Sequence, residues 1–277
     1  MADQAPKRRF PATVPSGGTS AVAPKTAWIG RPVASPNAAL VQSPRGLEPS
    51  RGLASERAFG LGLDSQAVRT AMVQKLRQQP DMHASVLAAM AQVPRHLFVE
   101  SALVNQAYSD TSLPIGWGQT ISKPSVVARM LSLLPFDAQG RVGKVLEVGT
   151  GCGYQAAVLA QVARHVVTVE RIEGLYKAAR EHLSQANITN VQTVFGDGMR
   201  GHGPSAPFQA IVAAAGGEDV PKAWLEQLAV GGRLIAPFVN AQGGQSLVII
   251  DRTEGGLQQT ELEAVLFVPL KSGLSHG

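Results

Sequence analysis

The chain has 277 residues, 44% of them hydrophobic, and a formal net charge of +5, which allows one large domain or two modest ones. No apolar run reaches the ~18 residues that would suggest a membrane span, and the N-terminal "MADQAPKRRFPATVPSGG" has basic residues without the apolar stretch of a secretory signal. One cysteine, Cys152, excludes an internal disulfide framework and suits a reducing compartment, so a cytoplasmic location is expected.

The charge is uneven. Residues 1–60 hold eight Lys/Arg against three Asp/Glu, and the remainder holds 17 of each. The basic character therefore belongs to the N-terminal end, which also carries eight of the 18 prolines. Residues 1–62 read as a disordered, basic, Pro/Ser/Ala-rich tail. The neutral remainder, 63–277, reads as one folded domain without a nucleic-acid-binding face.

Within that domain, "DSQAVRTAMVQKLRQQ" places Val68, Met72 and Leu76 at helical spacing behind Asp64 as N-cap. "HASVLAAMAQV" forms a second helix, ended by Pro94. "SALVNQAYSDTSLPIG" is loop-rich, and a third helix is expected over 124–134, stopped by Pro135. From residue 144 the pattern alternates. "KVLEVG", "HVVTVE", "VQTVFGDG", "FQAIVAAAG" and "GRLIAPF" are strand-like; the segments between the first three, and "PKAWLEQLA" before the last, are helical. Such alternation specifies an α/β fold with a mostly parallel twisted sheet covered by helices on both faces. The final "QSLVIIDRTEGGLQQTELEAVLFVPL" adds an antiparallel hairpin around "TEGG". Residues 63–143 thus supply N-terminal helices, and 144–277 supply the sheet.

Candidate chemistry begins at "VLEVGTGCGYQAAVLA", a strand running through Gly149, Thr150, Gly151 and Gly153 into a helix. Glycines there let the backbone turn tightly and approach a ligand. A dinucleotide site would need a third glycine where Tyr154 stands, and a P-loop would need a lysine that is missing. The spacing E-x-G-x-G-x-G instead resembles the first motif of class I S-adenosylmethionine-dependent methyltransferases, which are Rossmann-like. Glu147 is then expected to face either the loop amides or the cofactor's amino group. Glu170, ending the second strand beside Arg171, suits ribose hydroxyls, since a carboxylate accepts two donors at once. Gly196 and Asp197, in the "FGDG" turn, suit the adenine ring. Successive C-terminal strand ends are where open parallel sheets bind ligands.

Upstream, "GQTISKPSVVARML" poses a choice. Ser122 caps the helix that Pro124 opens, or it faces a substrate. "LPIGWGQTISKPSVVARML", "VVTVERIEGL", "APFQAIVAAA", "LEQLAVGGRLIAPF" and the closing "FVPL", together with the glycine loop, resemble the protein-L-isoaspartate O-methyltransferase family in its bacterial form, over about 63–272. Cys152 stands where that family often has serine, and Trp117 lies inside the "PIGxGQTIS" block. The resemblance implies methyl transfer from S-adenosylmethionine to the free α-carboxylate of L-isoaspartyl residues in damaged proteins and peptides. S-adenosylhomocysteine is the other product, and the ester then collapses to a succinimide. It implies Ser122 as the active-site serine, orienting rather than attacking. Thr120 and the backbone amides would be further donors at a helix N-terminus, and Ile121, Val268 and Leu270 flanking substrate contacts. Core packing is the alternative for the last two.

A carboxylate is already ionised at neutral pH, so no general base is needed. None is evident: the six histidines are scattered at no ligand spacing, and no metal site is expected. No nucleic-acid or membrane partner is expected, and the chain reads as a monomer. A small-molecule carboxyl methyltransferase and a non-catalytic S-adenosylmethionine-binding protein remain alternatives.

Overall fold

The structure, a computed structural model, describes residues 66–276; the expected tail at 1–62 and the Asp64 cap lie outside them. Helix α1 (Gln66–Arg77) buries Met72, Val73 and Leu76, and α2 (Ala84–Gln92) follows from a cap at His83, whose ring accepts the Ser85 amide. The segment expected to be loop-rich, 101–116, carries one 3-10 turn (Ser101–Gln106) and β1 (Leu113–Pro114), which forms an antiparallel ribbon with β2 (Thr120–Ile121). Two-residue strands are too short to show a period-2 pattern in sequence.

Helix α3 (Pro124–Ser132) begins with the expected proline, but Ser122 is not its cap. Lys123 holds the cap position without a side-chain bond, and the free amide of Ser125 donates to Asp110 Oδ1 at 2.8 Å. A carboxylate from the preceding loop thus already sits at this helix N-terminus.

The second half follows the expected alternation. The elements are β3 (Val142–Val148), α4 (Tyr154–Val162), β4 (Ala163–Glu170), α5 (Glu173–Gln185), β5 (Val191–Phe195), β6 (Phe208–Ala213), α6 (Lys222–Gln227), β7 (Leu228–Val239), β8 (Gln245–Thr253) and β9 (Gly256–Val265). The seven strands lie in the order β5-β4-β3-β6-β7-β8-β9. Pairing is parallel from β5 through β7 and antiparallel for β8 and β9, the predicted hairpin. The chain winds outward from β3 to β5, then returns to the other side of β3 with β6. That reversal opens a crevice at the carboxyl ends of β3 and β6.

Alternate residues of each strand enter different cores. Val145, Val166, Ala210 and Val212 face α1–α4, whereas Leu146, Val167, Ile211 and Ala213 face the side of Trp224 on α6. α4 is buried along nearly its whole length, which explains its Ala-rich composition: it lies between the sheet and the N-terminal helices. α5 buries only Leu175, Ala179 and Leu183, one stripe at i, i+4, i+8.

Candidate active site

The crevice holds a cavity of about 330 Å³, of the size of a small-molecule site. Its floor is the turn between β3 and α4. Gly149, Gly151 and Gly153 there have φ of 89°, 55° and 91°, a conformation that side chains strongly disfavour. Gly149, Thr150 and Gly151 line the cavity; Gly153 is the cap of α4, packed beneath the loop.

Glu170 closes the next wall. It is 5% exposed, and its two oxygens accept the amides of Gly151 and Ile172, each at 2.9 Å. Burial, only partly offset by these amides, raises its pKa. The carboxylate thus locks the glycine loop to the end of β4 while its remaining lone pairs face the cavity, which Arg171 also lines.

Glu147 lies elsewhere. Strand parity turns it to the same side as Val145, under α4, where it is fully buried and does not line the cavity. Thr168, its partner in register on β4, donates to Glu147 Oε2 at 2.5 Å, and Thr150 Oγ1 lies 2.6 Å from Thr168 Oγ1. With the Thr168 proton directed at Glu147, Thr150 is the donor of the second bond. The carboxyl therefore reaches the glycine loop through a chain of hydroxyls. Burial pushes its pKa up to about 8, so it is largely a neutral acid at pH 7.

The "FGDG" turn is pinned from below, where buried Trp224 donates Nε1–H to the Gly198 carbonyl at 2.8 Å. Gly198 lines the cavity; Gly196 and Asp197 do not. Asp197 spends both carboxylate oxygens on backbone amides, those of Met199 at 3.0 Å and Gly273 at 2.8 Å. The second bond ties down the C-terminal segment, which also pairs through Ser275 with Arg171 and Glu173.

Across the cavity stands the β1–β2 ribbon. Thr120, Ile121 and Ser122 line the cavity together with Val268 and Leu270 from the chain after β9. A second groove of about 430 Å³ continues outward from that point, and Thr120, Ser122, Ala214 and Val268 line both spaces. Val268 and Leu270 are held by two backbone bonds to Gly216, at 2.8 and 2.7 Å. Leu270 lines the cavity and also packs on the core that contains Trp224.

Sequence reasoning passed over Arg95. Its side chain is fully buried, donating to the carbonyl of Ala107 at 2.8 Å and to that of Ser122 at 2.7 Å. Its guanidinium lies 4.7 Å from the ring centre of Tyr154, the first residue of α4. One arginine thus joins the Ser122 strand to the helix that follows the glycine loop. No periodicity announces such a residue; the only hint is an arginine in an otherwise apolar stretch.

Among the described residues no cluster of His, Cys, Asp or Glu is placed to hold a metal ion, and no helix is long and apolar enough to cross a membrane.

Comparison with known proteins agrees with this geometry. The protein-L-isoaspartate(D-aspartate) O-methyltransferase family profile matches residues 67–275. A protein-L-isoaspartate O-methyltransferase of Methylibium petroleiphilum is 51% identical over 278 residues, covering 98% of both chains. One from Leptothrix cholodnii is 50% identical over 285 residues, covering 99% of this chain and 98% of the relative. These alignments extend into the N-terminal tail. A solved protein-L-isoaspartate O-methyltransferase superimposes with a TM-score of 0.67 at 26% identity, over 75% of this chain and 67% of its own. A Plasmodium falciparum structure in complex with S-adenosyl-L-homocysteine shares the fold, with a TM-score of 0.62 at 24% identity over 73% of this chain and 98% of its own. The chain belongs to the protein-L-isoaspartate(D-aspartate) O-methyltransferase family.

Proposed function

We propose that Ser122 and Thr120 orient the reacting carboxylate in the reaction that family membership assigns to this chain, S-adenosylmethionine-dependent methylation of the α-carboxylate of L-isoaspartyl residues in damaged proteins. The observation that carries this is the meeting of the two spaces at Ser122: a glycine-floored cavity on one side, a groove open to solvent on the other.

The cavity fits the cofactor. Gly149 and Gly151, on either side of Thr150, offer backbone without side chains where the methionyl part would pass, and Glu170 would offer carboxylate lone pairs to a ribose diol. Gly198 brings backbone to the adenine end, with Gly196 and Asp197 holding that turn and the strap that closes it. Arg171, which lines the cavity beside Glu170, would border the ribose, and Glu147 with Gly153 supports the loop. When bound, S-adenosylmethionine supplies the electrophilic methyl group.

The chain's own task is to aim an anion that needs no activation. Arg95 fixes the Ser122 backbone directly after β2, where the residue lines both spaces. Ile121, 4% exposed, roots that strand in the core. Val268 forms the opposite lip of the groove, with Leu270 on the cavity side of it, and an extended peptide would lie along the chain after β9. Ser122 has no base beside it and acts as a hydrogen-bond donor, not a nucleophile. The lone thiol, Cys152, is buried, and that burial pushes it up to about 11.

The test compares labelled methyl transfer to an isoaspartyl peptide and to its normal aspartyl twin, for wild type and Ser122→Ala. Wild type is expected to modify only the isoaspartyl peptide. Ser122→Ala is expected to lose roughly a hundredfold in turnover with unchanged cofactor affinity. Unchanged turnover would remove Ser122 from the mechanism.

A further inference from the structure

The β1–β2 ribbon ends in a tight tip. Ile115 donates its amide to the Gln119 carbonyl at 3.0 Å, and Gln119 returns a bond to Gly116 at 2.8 Å. Three consecutive residues between them have positive φ: Gly116 at 85°, Trp117 at 49° and Gly118 at 66°. Two are glycines, for which this is easy; the middle one is a tryptophan, for which it is not. Such a conformation persists only where surrounding contacts over-determine it, and it clusters at functional sites.

What holds Trp117 is visible. The side chain is 51% exposed, so it is no core residue, yet it lines the cavity. Its six-membered ring rests on Gly174, in the first turn of α5. A Cβ added at Gly174 would lie 2.1 Å from Cζ2, 2.5 Å from Cε2 and 2.8 Å from Cη2 of the indole. Gly174 has no positive φ, so nothing in its own backbone calls for glycine, and glycine inside a helix is a loss relative to alanine. The close approach of the ring explains its presence. At the other end of the tip, Ile115 Cδ1 would be 3.2 Å from a Cβ on Gly151. The tip therefore bridges the glycine loop and α5, the two segments whose amides Glu170 binds.

We propose that Trp117 is a cofactor-retaining clasp: its indole, seated on Gly174, holds the ribbon tip across the cavity and slows escape of the cofactor, and it lifts to release the spent product. This rests on the assignment of the cavity to S-adenosylmethionine. Trp117 contributes surface rather than chemistry, so its loss changes how long the cofactor stays and leaves the transfer step intact.

The experiment is stopped-flow release of S-adenosylhomocysteine from full-length wild type, Trp117→Ala, Trp117→Phe, Gly174→Ala and the Trp117→Ala/Gly174→Ala double variant. It is paired with single-turnover methyl transfer from cofactor-loaded enzyme, and with melting curves to show that each variant folds. Trp117→Ala is expected to release product about tenfold faster, with a raised KM for S-adenosylmethionine and an unchanged single-turnover rate. Trp117→Phe should recover part of the retention. Gly174→Ala should mimic Trp117→Ala, because the added methyl unseats the ring. The double variant should be no faster than Trp117→Ala alone, since no ring is left to displace. Release at the wild-type rate in Trp117→Ala, or multiplicative effects in the double variant, would overturn the clasp while leaving the cavity assignment in place. A wild type that methylates the isoaspartyl peptide but does not bind S-adenosylhomocysteine in this cavity would overturn both.

Discussion

Glu147 and Glu170, on the neighbouring strands β3 and β4, show how differently two acids of one site can be treated. Glu170, at a strand end, meets backbone amides that favour its charge. Glu147, inside the sheet, meets the Thr168 hydroxyl and the Gln155 side chain in a dry setting, and burial outweighs both, lifting its pKa to about 8 from an ordinary 4.5. Its Oε1 has no hydrogen-bond partner, a heavy cost for a full charge and a lighter one for a neutral acid. The folded protein therefore keeps a proton that the unfolded chain releases. The stability from this group is fully present below about pH 4.5 and is lost as pH rises through about 8. Glu147→Gln keeps an acceptor for Thr168 and abolishes the titration. The melting temperature of wild type should therefore fall relative to Glu147→Gln between about pH 5 and pH 9. Parallel melting curves against pH across that window would show instead that Glu147 is ionised in the fold.

At the scale of elements, the position of Ser122 depends on groups outside its own strand. Asp110 caps α3 through the Ser125 amide, and Arg95 grips the Ser122 carbonyl from below. Two independent anchors on either side of a short segment leave the serine little freedom, which orientation catalysis requires. Asp110→Ala should cost about 1 kcal/mol of stability, the usual worth of an N-terminal cap. It should also raise KM for the isoaspartyl peptide more than KM for S-adenosylmethionine, because α3 borders the outer groove and the glycine loop is untouched. Chemical denaturation and steady-state kinetics with each substrate varied in turn provide the check. Equal effects on both constants would mean that the cap supports the fold as a whole.

For the whole molecule, the two halves meet at the carboxyl edge of the sheet. The N-terminal helices carry the ribbon to the crevice, and the C-terminal strap returns to Asp197 and Arg171 to close its far end. The family match begins at residue 67, after the basic extension. Deleting residues 1–62 should therefore leave both the melting temperature and the rate on an isoaspartyl peptide unchanged. A large loss of rate in the truncated protein would place part of the tail at the site.

Much of this was legible in the amino-acid order, because its cause is local. Period-2 and period-3.6 patterning determined β3 through β9 and the helices between them. Positive-φ glycines at fixed spacing determined the loop at Gly149, Gly151 and Gly153, and the terminal acid Glu170 followed from the same strand-to-loop grammar. What only the tertiary structure decided depends on partners distant in the chain. Parity and registry with Thr168 turned Glu147 under α4. The approach of Gly273 engaged Asp197, and Asp110 rather than Ser122 took the end of α3. The grip of Arg95 on Ser122, 27 positions away, and the seating of Trp117 on Gly174 belong to the same class. Local sequence sets backbone conformation, but a side chain's partner is chosen by packing, and packing is known only once the layers have closed.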